Sequence, residues 1–439
     1  MPALVEIVEV VGREPTADAC ARFALESPRP GGAEPTYTVE IAGWVVGRRS
    51  PVAAIEILHD DVVMRRAAPE VDRPDVLGPD DGAGGANGFR LPISALNFPL
   101  AFELSVRAVL EDGTAEEIAV LRGRRARLTS TFEPRLRPLM ITTTGRTGST
   151  ALVQLLGAHP EILAYRPFEY EPRVAGYWTK VLTALSEPVS YIRQVFWQGP
   201  RDTWWLGRDA PAPPPLADAS VASWMGGDAV ESIAGFCQGR IEAFYEQVAR
   251  HLGRDRPAYF AERYPPRSLV PAMVAELYPD TRELILVRDF RDVATSMFAF
   301  NEKRGVQGFG RDRADSDEQF ILRELRRSAD ALARCWRERS GAAHLVRYED
   351  MVLRPEETAE GVLAHLGLER TPQIVGRMID SLGARMAETE GHRTSPAPEA
   401  SIGRWRHDLP DELKELCARA FGDALEEFGY QAAGQPAPR

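Results

Sequence analysis

Apolar and polar positions alternate with a period of two between about residues 37 and 122. In AFELSVRAVL, Phe102, Leu104, Val106 and Ala108 take turns with Glu103, Ser105 and Arg107, which predicts a strand with one buried face. It runs into Glu111, Asp112, Gly113 and Thr114, a turn cluster, and then into IAVL (118–121), so the two runs predict a β-hairpin. TVEIAGWVV and AAIEILHDDVVM read as further β-like runs, and DDGAGGANG (80–88) as a flexible loop. Residues 1–135 therefore read as a small all-β, sandwich-like accessory domain. His59 beside Asp60 reads as a solvated surface histidine.

From Pro138 the period changes. Short apolar strands are followed by amphipathic helices, the rhythm of an α/β domain with a mostly parallel sheet flanked by helices, assigned to residues 136–439. PLMITTT predicts the first strand. STALVQLLGAH predicts a helix with apolar spacing at Leu152, Leu155 and Leu156, stopped by Pro160. AYFAE (258–262), ELILVR (283–288) and AHLVRYED (343–350) predict later strands. EQFILRELRRSADALARCW predicts the longest amphipathic helix, and PDELKELCARAFGDALEEF a C-terminal one. GRDAPAPPPLADAS (207–220) and RGVQGFGRDRADSD (304–317) break the rhythm and read as loops over an active site.

Composition narrows the function. A formal charge of −11 disfavours nucleic acid as a partner, since phosphate backbones are held by a net basic field or a dense basic stripe. The 439 residues, 44% of them hydrophobic, suffice for two packed cores. Cys20, Cys237, Cys335 and Cys417 are too far apart to spell a zinc cluster or a small disulfide scaffold, which fits a reducing cytoplasm. Glu6 and Glu9 stand where a signal peptide has basic and apolar residues, and no run of 18 apolar residues follows, so a soluble cytoplasmic protein without a membrane span is expected.

One motif carries chemistry. TTTGRTGST (142–150) lies where a strand turns into a helix, so backbone N–H groups and the helix dipole converge on a single anion. Gly145 and Gly148 permit the turn, Ser149 and Thr150 add hydroxyls, and Arg146 adds a permanent planar charge suited to phosphate or sulfonate oxygens. A Walker A loop requires Gly at Thr143 and Lys at Ser149, and has neither here. The second motif, LILVRDFRDVATSMFAF, again runs from strand to helix. Arg288 closes the strand, and Ser296 follows eight residues on, about two helical turns later, placing both for a second phosphate. Asp289 imitates a Walker B carboxylate, with Arg288 directly before it arguing against metal.

Together these motifs resemble the 5'-phosphosulfate loop and the 3'-phosphate motif of sulfotransferases that use 3'-phosphoadenosine-5'-phosphosulfate (PAPS). ERYPPRSLVPAMVAELYPDTRELILVRD and HLVRYEDMVLRPEETAEGVLAHLGL extend the resemblance over about residues 138–430. It implies a P-loop-like α/β fold and PAPS as donor, with adenosine 3',5'-bisphosphate as product and no metal. The implied donor ligands are Gly145, Arg146, Thr147, Gly148, Ser149, Thr150, Arg288 and Ser296. HRTSPAPEASIGRW resembles the family's late loop over the nucleotide, which adds Ser401, Gly403 and Arg404. Trp405 reads as adenine-stacking or core, and Arg393 as a further candidate anion ligand.

By the same resemblance Arg146 is catalytic, stabilising the leaving phosphate in an in-line transfer. A general base is sought in HPEILAYRPFEYEPR, which offers Glu161, Glu169 and Glu171. Glu169 ranks first and Glu171 second; pairing with Arg166 or Arg173 is the structural alternative for either. His159 reads as structural. AERYPP has Arg263 where the cytosolic small-molecule enzymes have a base histidine, which points to a bacterial member nearer the carboxylate-base carbohydrate and tyrosine branch. A hydroxyl-bearing acceptor, a saccharide or other small metabolite, is then expected. Tyr165, Tyr170, Tyr177, Trp178, Trp204 and Trp205 suit sugar stacking or a core. Two alternatives stay open, a divergent P-loop kinase or NTPase using Mg-ATP, and a nucleotide-binding relative without activity. The oligomeric state is left open.

Overall fold

The protein is described by a computed structural model over residues 3–14, 20–48, 50–60, 62–77, 87–166, 171–186, 220, 224–383 and 393–430. Chain contacts divide it into two compact units, residues 1–132 with 177–239 and residues 133–176 with 240–439.

The first unit holds two antiparallel sheets. Strands β1 (Val5–Gly12), β3 (Ala33–Glu34), β5 (Val52–His59), β6 (Val62–Ala67), β8 (Ala101–Leu110) and β9 (Ala115–Arg125) form one in the order β3-β1-β9-β8-β5-β6; β2 (Cys20–Ser27), β4 (Thr38–Gly47) and β7 (Gly88–Ser94) form the other in the order β2-β4-β7. Alternation explains the pairing of faces. Phe102, Leu104, Val106 and Ala108 of β8 are buried and join Val39, Ile41, Phe89 and Leu91 of the smaller sheet in one core. The predicted hairpin is present, its turn held by Asp112, whose carboxylate accepts from the Thr114 N–H at 2.8 Å. AAIEILHDDVVM folds as two strands, β5 and β6, because the chain turns at Asp60 with a φ of 49°. His59 meets the Glu103 carbonyl through Nδ1 at 3.0 Å. Most of the loop read at 80–88, residues 80–86, lies outside the described residues.

The second unit is built on a parallel sheet of β10 (Arg137–Thr143), β11 (Ile162–Leu163), β12 (Tyr259–Tyr264), β13 (Arg282–Val287) and β14 (Ala343–Arg347), in the order β11-β12-β10-β13-β14. Helices α1 (Ser149–Gly157), α2 (Val174–Ser186), α3 (Ala229–His251), α4 (Val270–Leu277), α5 (Phe290–Arg304), α6 (Asp317–Phe320), α7 (Arg326–Arg339), α8 (Tyr348–Leu353), α9 (Pro355–Leu366), α10 (Pro372–Gly383), α11 (Trp405–Asp408) and α12 (Asp411–Glu427) are the α-helices among the described residues, with residues of both α2 and α3 assigned to each unit. Neighbouring residues of β13 point to opposite faces. Ile285 and Val287 enter a core with Phe290, Leu332 and Phe421, whereas Leu284 and Leu286 enter one with Leu152, Leu156 and Val362. Burial on both sides is why these strands are continuously apolar.

Two helix expectations are corrected. Helix α1 ends at Gly157, where Ala158 and His159 turn back on Leu155 and Leu156, before Pro160 is reached. The stretch 317–339 is divided by a π-helical turn at Ile321–Leu325, so among the described residues the 23-residue α3 is the longest uninterrupted α-helix. No helix among the described residues is long and apolar enough to cross a membrane.

Candidate anion site at the carboxyl edge of the sheet

Parallel register brings the ends of the strands together. Thr143 pairs with Leu286, and Val287 with Arg347, so the residues that follow β10, β13 and β14 emerge side by side. After β10 the chain turns through Thr144–Gly148 into α1. Thr143 pins the turn: its hydroxyl donates to the Leu286 carbonyl at 2.8 Å and lies 2.6 Å from that of Thr147. The Thr147 hydroxyl also meets the Thr144 carbonyl at 3.0 Å. Arg146 and Gly148 are both left-handed, with φ of 65° and 81°. A Cβ at 148 would stand 2.3 Å from the Tyr348 ring, so only glycine fits. The first-turn N–H groups of α1 have no intrahelical acceptor and form the positive end of the helix dipole.

Two guanidiniums converge on this turn. Arg146 donates from Nε to the Ser296 hydroxyl at 3.1 Å and lies over the Phe300 ring, 4.8 Å from its centroid. Arg288 is buried; it donates to the Arg146 carbonyl at 3.1 Å and to the Ser401 carbonyl at 2.5 Å, and it stacks on Tyr348 at 4.5 Å. Its Nε has no hydrogen-bond partner. An unsatisfied donor on a buried charge is costly, and an anion would satisfy it. Thr394 joins the late segment to the cluster, 3.3 Å from the Ser296 hydroxyl and accepting from Arg404 at 2.9 Å through its carbonyl.

Several expected ligands have other work. The Thr147 side chain is fully buried and used inside the turn. Ser401 is buried too, its hydroxyl donating to the Pro398 carbonyl at 2.6 Å and lying 2.9 Å from the Tyr348 hydroxyl, so it holds Arg288 through its carbonyl. Gly403 gives its N–H to Asp292 at 2.6 Å, and Trp405 does so at 3.0 Å. Burial pushes the Asp292 carboxyl up to about 6. Trp405 belongs to the core, with Arg291 stacked at 4.1 Å, which decides between the two readings given for it. Gly403 and Arg404 line a cleft of about 430 Å³ with Thr394, Ile402 and His407. Arg393 is exposed, its carbonyl accepting from Lys303. Asp289 caps α5 and pairs with Arg291 at 2.7 Å, so its carboxylate is occupied as a helix cap.

On the other side of the turn, Arg263 follows β12 residue Glu262 and donates from Nη1 to the Ser149 hydroxyl at 2.5 Å. It forms a forked ion pair with buried Glu171, at 2.9 and 3.2 Å. Glu262 is fully buried and accepts from Tyr245 at 2.6 Å, from Tyr264 and from the Ala175 N–H at 2.8 Å, fixing the segment that leaves Glu171. Burial raises its pKa. Glu169 lies outside the described residues, as do Tyr170, Trp204 and Trp205. Glu161 sits beside the start of β12, where its carbonyl accepts from Ala258 and Tyr259, at the end of the sheet away from the turn. His159 is buried against the Glu369 carbonyl at 3.1 Å, and burial lowers its pKa. Tyr165 packs edge-on against Phe244, whereas Tyr177 is 61% exposed beside Trp178.

Arg263, Asp292, Tyr348 and Thr394 were not singled out as site residues from sequence. For Arg263 the sequence carries a signal, since AERYPP holds this arginine where the resemblance leads one to expect a histidine.

Residues 138–372 match the sulfotransferase family. Carbohydrate sulfotransferase 3 of Mus musculus is 28% identical over 190 residues, covering 41% of this chain and 40% of that protein; the Homo sapiens protein of the same name is 29% identical over 164 residues, 35% and 34%. The chain thus spans about two-fifths or less of the length of these relatives. Among solved structures, the sulfotransferase domain from the curacin biosynthetic pathway has 16% identity and a TM-score of 0.39, covering 68% of this chain and 99% of that one. Sulfotransferase STF9 from Mycobacterium avium has 18% identity and a TM-score of 0.35, with 69% and 79% covered.

Proposed function

Because the chain belongs to the sulfotransferase family, we propose that it transfers a sulfonate group from PAPS to an acceptor hydroxyl. The observation that carries this reading is the pair Arg146 and Arg288, two permanent charges meeting at a helix N-terminus, one with a buried donor unsatisfied. A dianionic nucleotide end and a second phosphate suit such a pair.

In this reading the turn 145–150 holds the phosphosulfate, through backbone N–H groups and the hydroxyls of Ser149 and Thr150. Arg288 and Ser296 hold the 3'-phosphate, and Gly403 and Arg404 border the nucleotide along their cleft. Bound PAPS supplies the activated sulfonate. Arg146, anchored by Ser296 and Phe300, places its permanent charge beside the charge that grows on the leaving oxygen, the kind of preorganised stabilisation that lowers such barriers most. Arg263 adds a third cation, at Ser149. Glu169 is our choice for the base that removes the acceptor proton. Glu171 is committed to Arg263, which favours a positioning role for it. The names of the curated relatives support a carbohydrate acceptor. A cytoplasmic setting is part of the proposal, supported by four buried free thiols.

The test is thermal shift. Adenosine 3',5'-bisphosphate without metal should raise Tm in a concentration-dependent way. Stabilisation by Mg-ATP alone would remove the reading.

A further inference from the structure

The segment after α5 departs from ordinary backbone geometry. Phe309 has a φ of 62°, a left-handed conformation that bulky residues rarely adopt and that persists only when surroundings enforce it. The enforcement is visible. Buried Asn301 grips Gly308 in both directions, donating from Nδ2 to its carbonyl at 3.2 Å and accepting its N–H through Oδ1 at 3.1 Å. Gly305 and Gly310 flank the loop with φ of 63° and 86°.

What the strained residue does is specific. A Cβ at position 145 would stand 2.9 Å from two atoms of the Phe309 ring, so the ring rests on the first glycine of the anion turn. The same ring meets Phe300 edge-on, centroids 5.5 Å apart. Phe300 in turn carries the Arg146 guanidinium. Phe309 remains 40% exposed, leaving apolar surface for another molecule to cover.

We infer that Phe309 is a positioning residue that acts through Phe300 and Gly145: it fixes Arg146 and keeps water from the apolar flank of the anion site, so that sulfonate goes to an acceptor hydroxyl instead of to water. This rests on the proposed PAPS reading. The suppressed side reaction balances simply. Water oxygen forms a bond to sulfur, the bond from sulfur to the bridging oxygen breaks, that oxygen leaves on adenosine 3',5'-bisphosphate, sulfate is released, and of the two protons of water one passes to solvent and the other to solvent or to the freed phosphate oxygen. Water exclusion of this kind is a recognised function of closed active sites.

Phe309→Gly separates a structural role from a positioning one, because glycine accepts the left-handed backbone while deleting the ring. Phe309→Asn, which also tolerates that conformation, is the second variant should glycine loosen the loop. The measurements are Tm, affinity for adenosine 3',5'-bisphosphate by calorimetry, and release of sulfate from PAPS without acceptor. Both variants should keep Tm and hold affinity within about threefold, while sulfate release rises about tenfold; Phe309→Tyr should match the parent. Unchanged sulfate release in both variants, or a rise shared by Phe309→Tyr, overturns the inference. Failure of the parent protein to bind the bisphosphate instead overturns the sulfotransferase reading, whatever the variants do.

Discussion

Arg146 donates its Nε–H to the hydroxyl of Ser296 across 3.1 Å, from a backbone held at a φ of 65°. Two sequence motifs 150 positions apart are thereby one site. The left-handed backbone turns the side chain of an L-residue to where a regular turn would not put it. Such strain costs about 1–3 kcal/mol and persists where function requires it.

Arg146→Gly therefore gives opposite answers in two assays. Transfer should fall by roughly 10²–10³, the loss typical of removing one preorganised donor. Thermal stability should stay near that of the parent, since relief of strain offsets glycine's greater unfolded-state freedom. Retained turnover in a steady-state assay would assign the loop another purpose.

Arg288→Ala removes a buried cation and strands two carbonyls, those of Arg146 and Ser401. Calorimetry should show the dissociation constant for adenosine 3',5'-bisphosphate raised at least about tenfold, with a stability loss of roughly 1–3 kcal/mol. An unchanged dissociation constant counts against a 3'-phosphate at this place.

Asp292 links stability to pH. Its folded-state pKa of about 6 lies above the ordinary 3.8, because burial disfavours the carboxylate, so the folded protein holds this proton more tightly than the unfolded chain. Stability from this group is present below pH 3.8 and is lost as pH rises through 6. Denaturant titrations of the parent and Asp292→Asn at pH 4 and 7 should show the parent's relative stability falling by on the order of 2–3 kcal/mol between them. A pH-independent difference would mean that the folded Asp292 titrates as an ordinary carboxylate.

Glu169→Gln and Glu171→Gln should separate chemistry from scaffolding. The first is expected to lower kcat by roughly 10²–10⁴ with donor affinity unchanged. The second breaks the buried pair with Arg263 and should cost stability, on the order of 3 kcal/mol. If Glu171→Gln instead depresses kcat at normal stability, the base is Glu171.

Sequence periodicity located what depends on local order. The β8–β9 hairpin, the strand-to-helix turn at 142–150 and the spacing of Ser296 from Arg288 all follow from residues close together in the chain. The missed features depend on partners far away. Ser401 carries a hydroxyl suited to an anion, yet its carbonyl is what Arg288 uses, and nothing local to residues 398–405 reveals that. Asp292 lies in the first turn of α5, and its carboxylate accepts the Gly403 and Trp405 N–H groups, more than 100 positions away, a pairing that no local pattern reveals. The π-helical turn at Ile321–Leu325 leaves no mark in an amphipathic pattern, which is why EQFILRELRRSADALARCW (318–336) reads as one even helix.

The ladder between β10, β13 and β14 has a consequence for how this protein could change over time. Arg146 and Arg288 stand three and one positions beyond the ends of β10 and β13, and these inner strands cannot drift without unzipping both neighbours. Whatever grips the invariant part of a co-substrate is thus written into the sheet's own spacing, while the excursions between helices can be rewritten freely. New acceptors can be tried without putting the donor at risk.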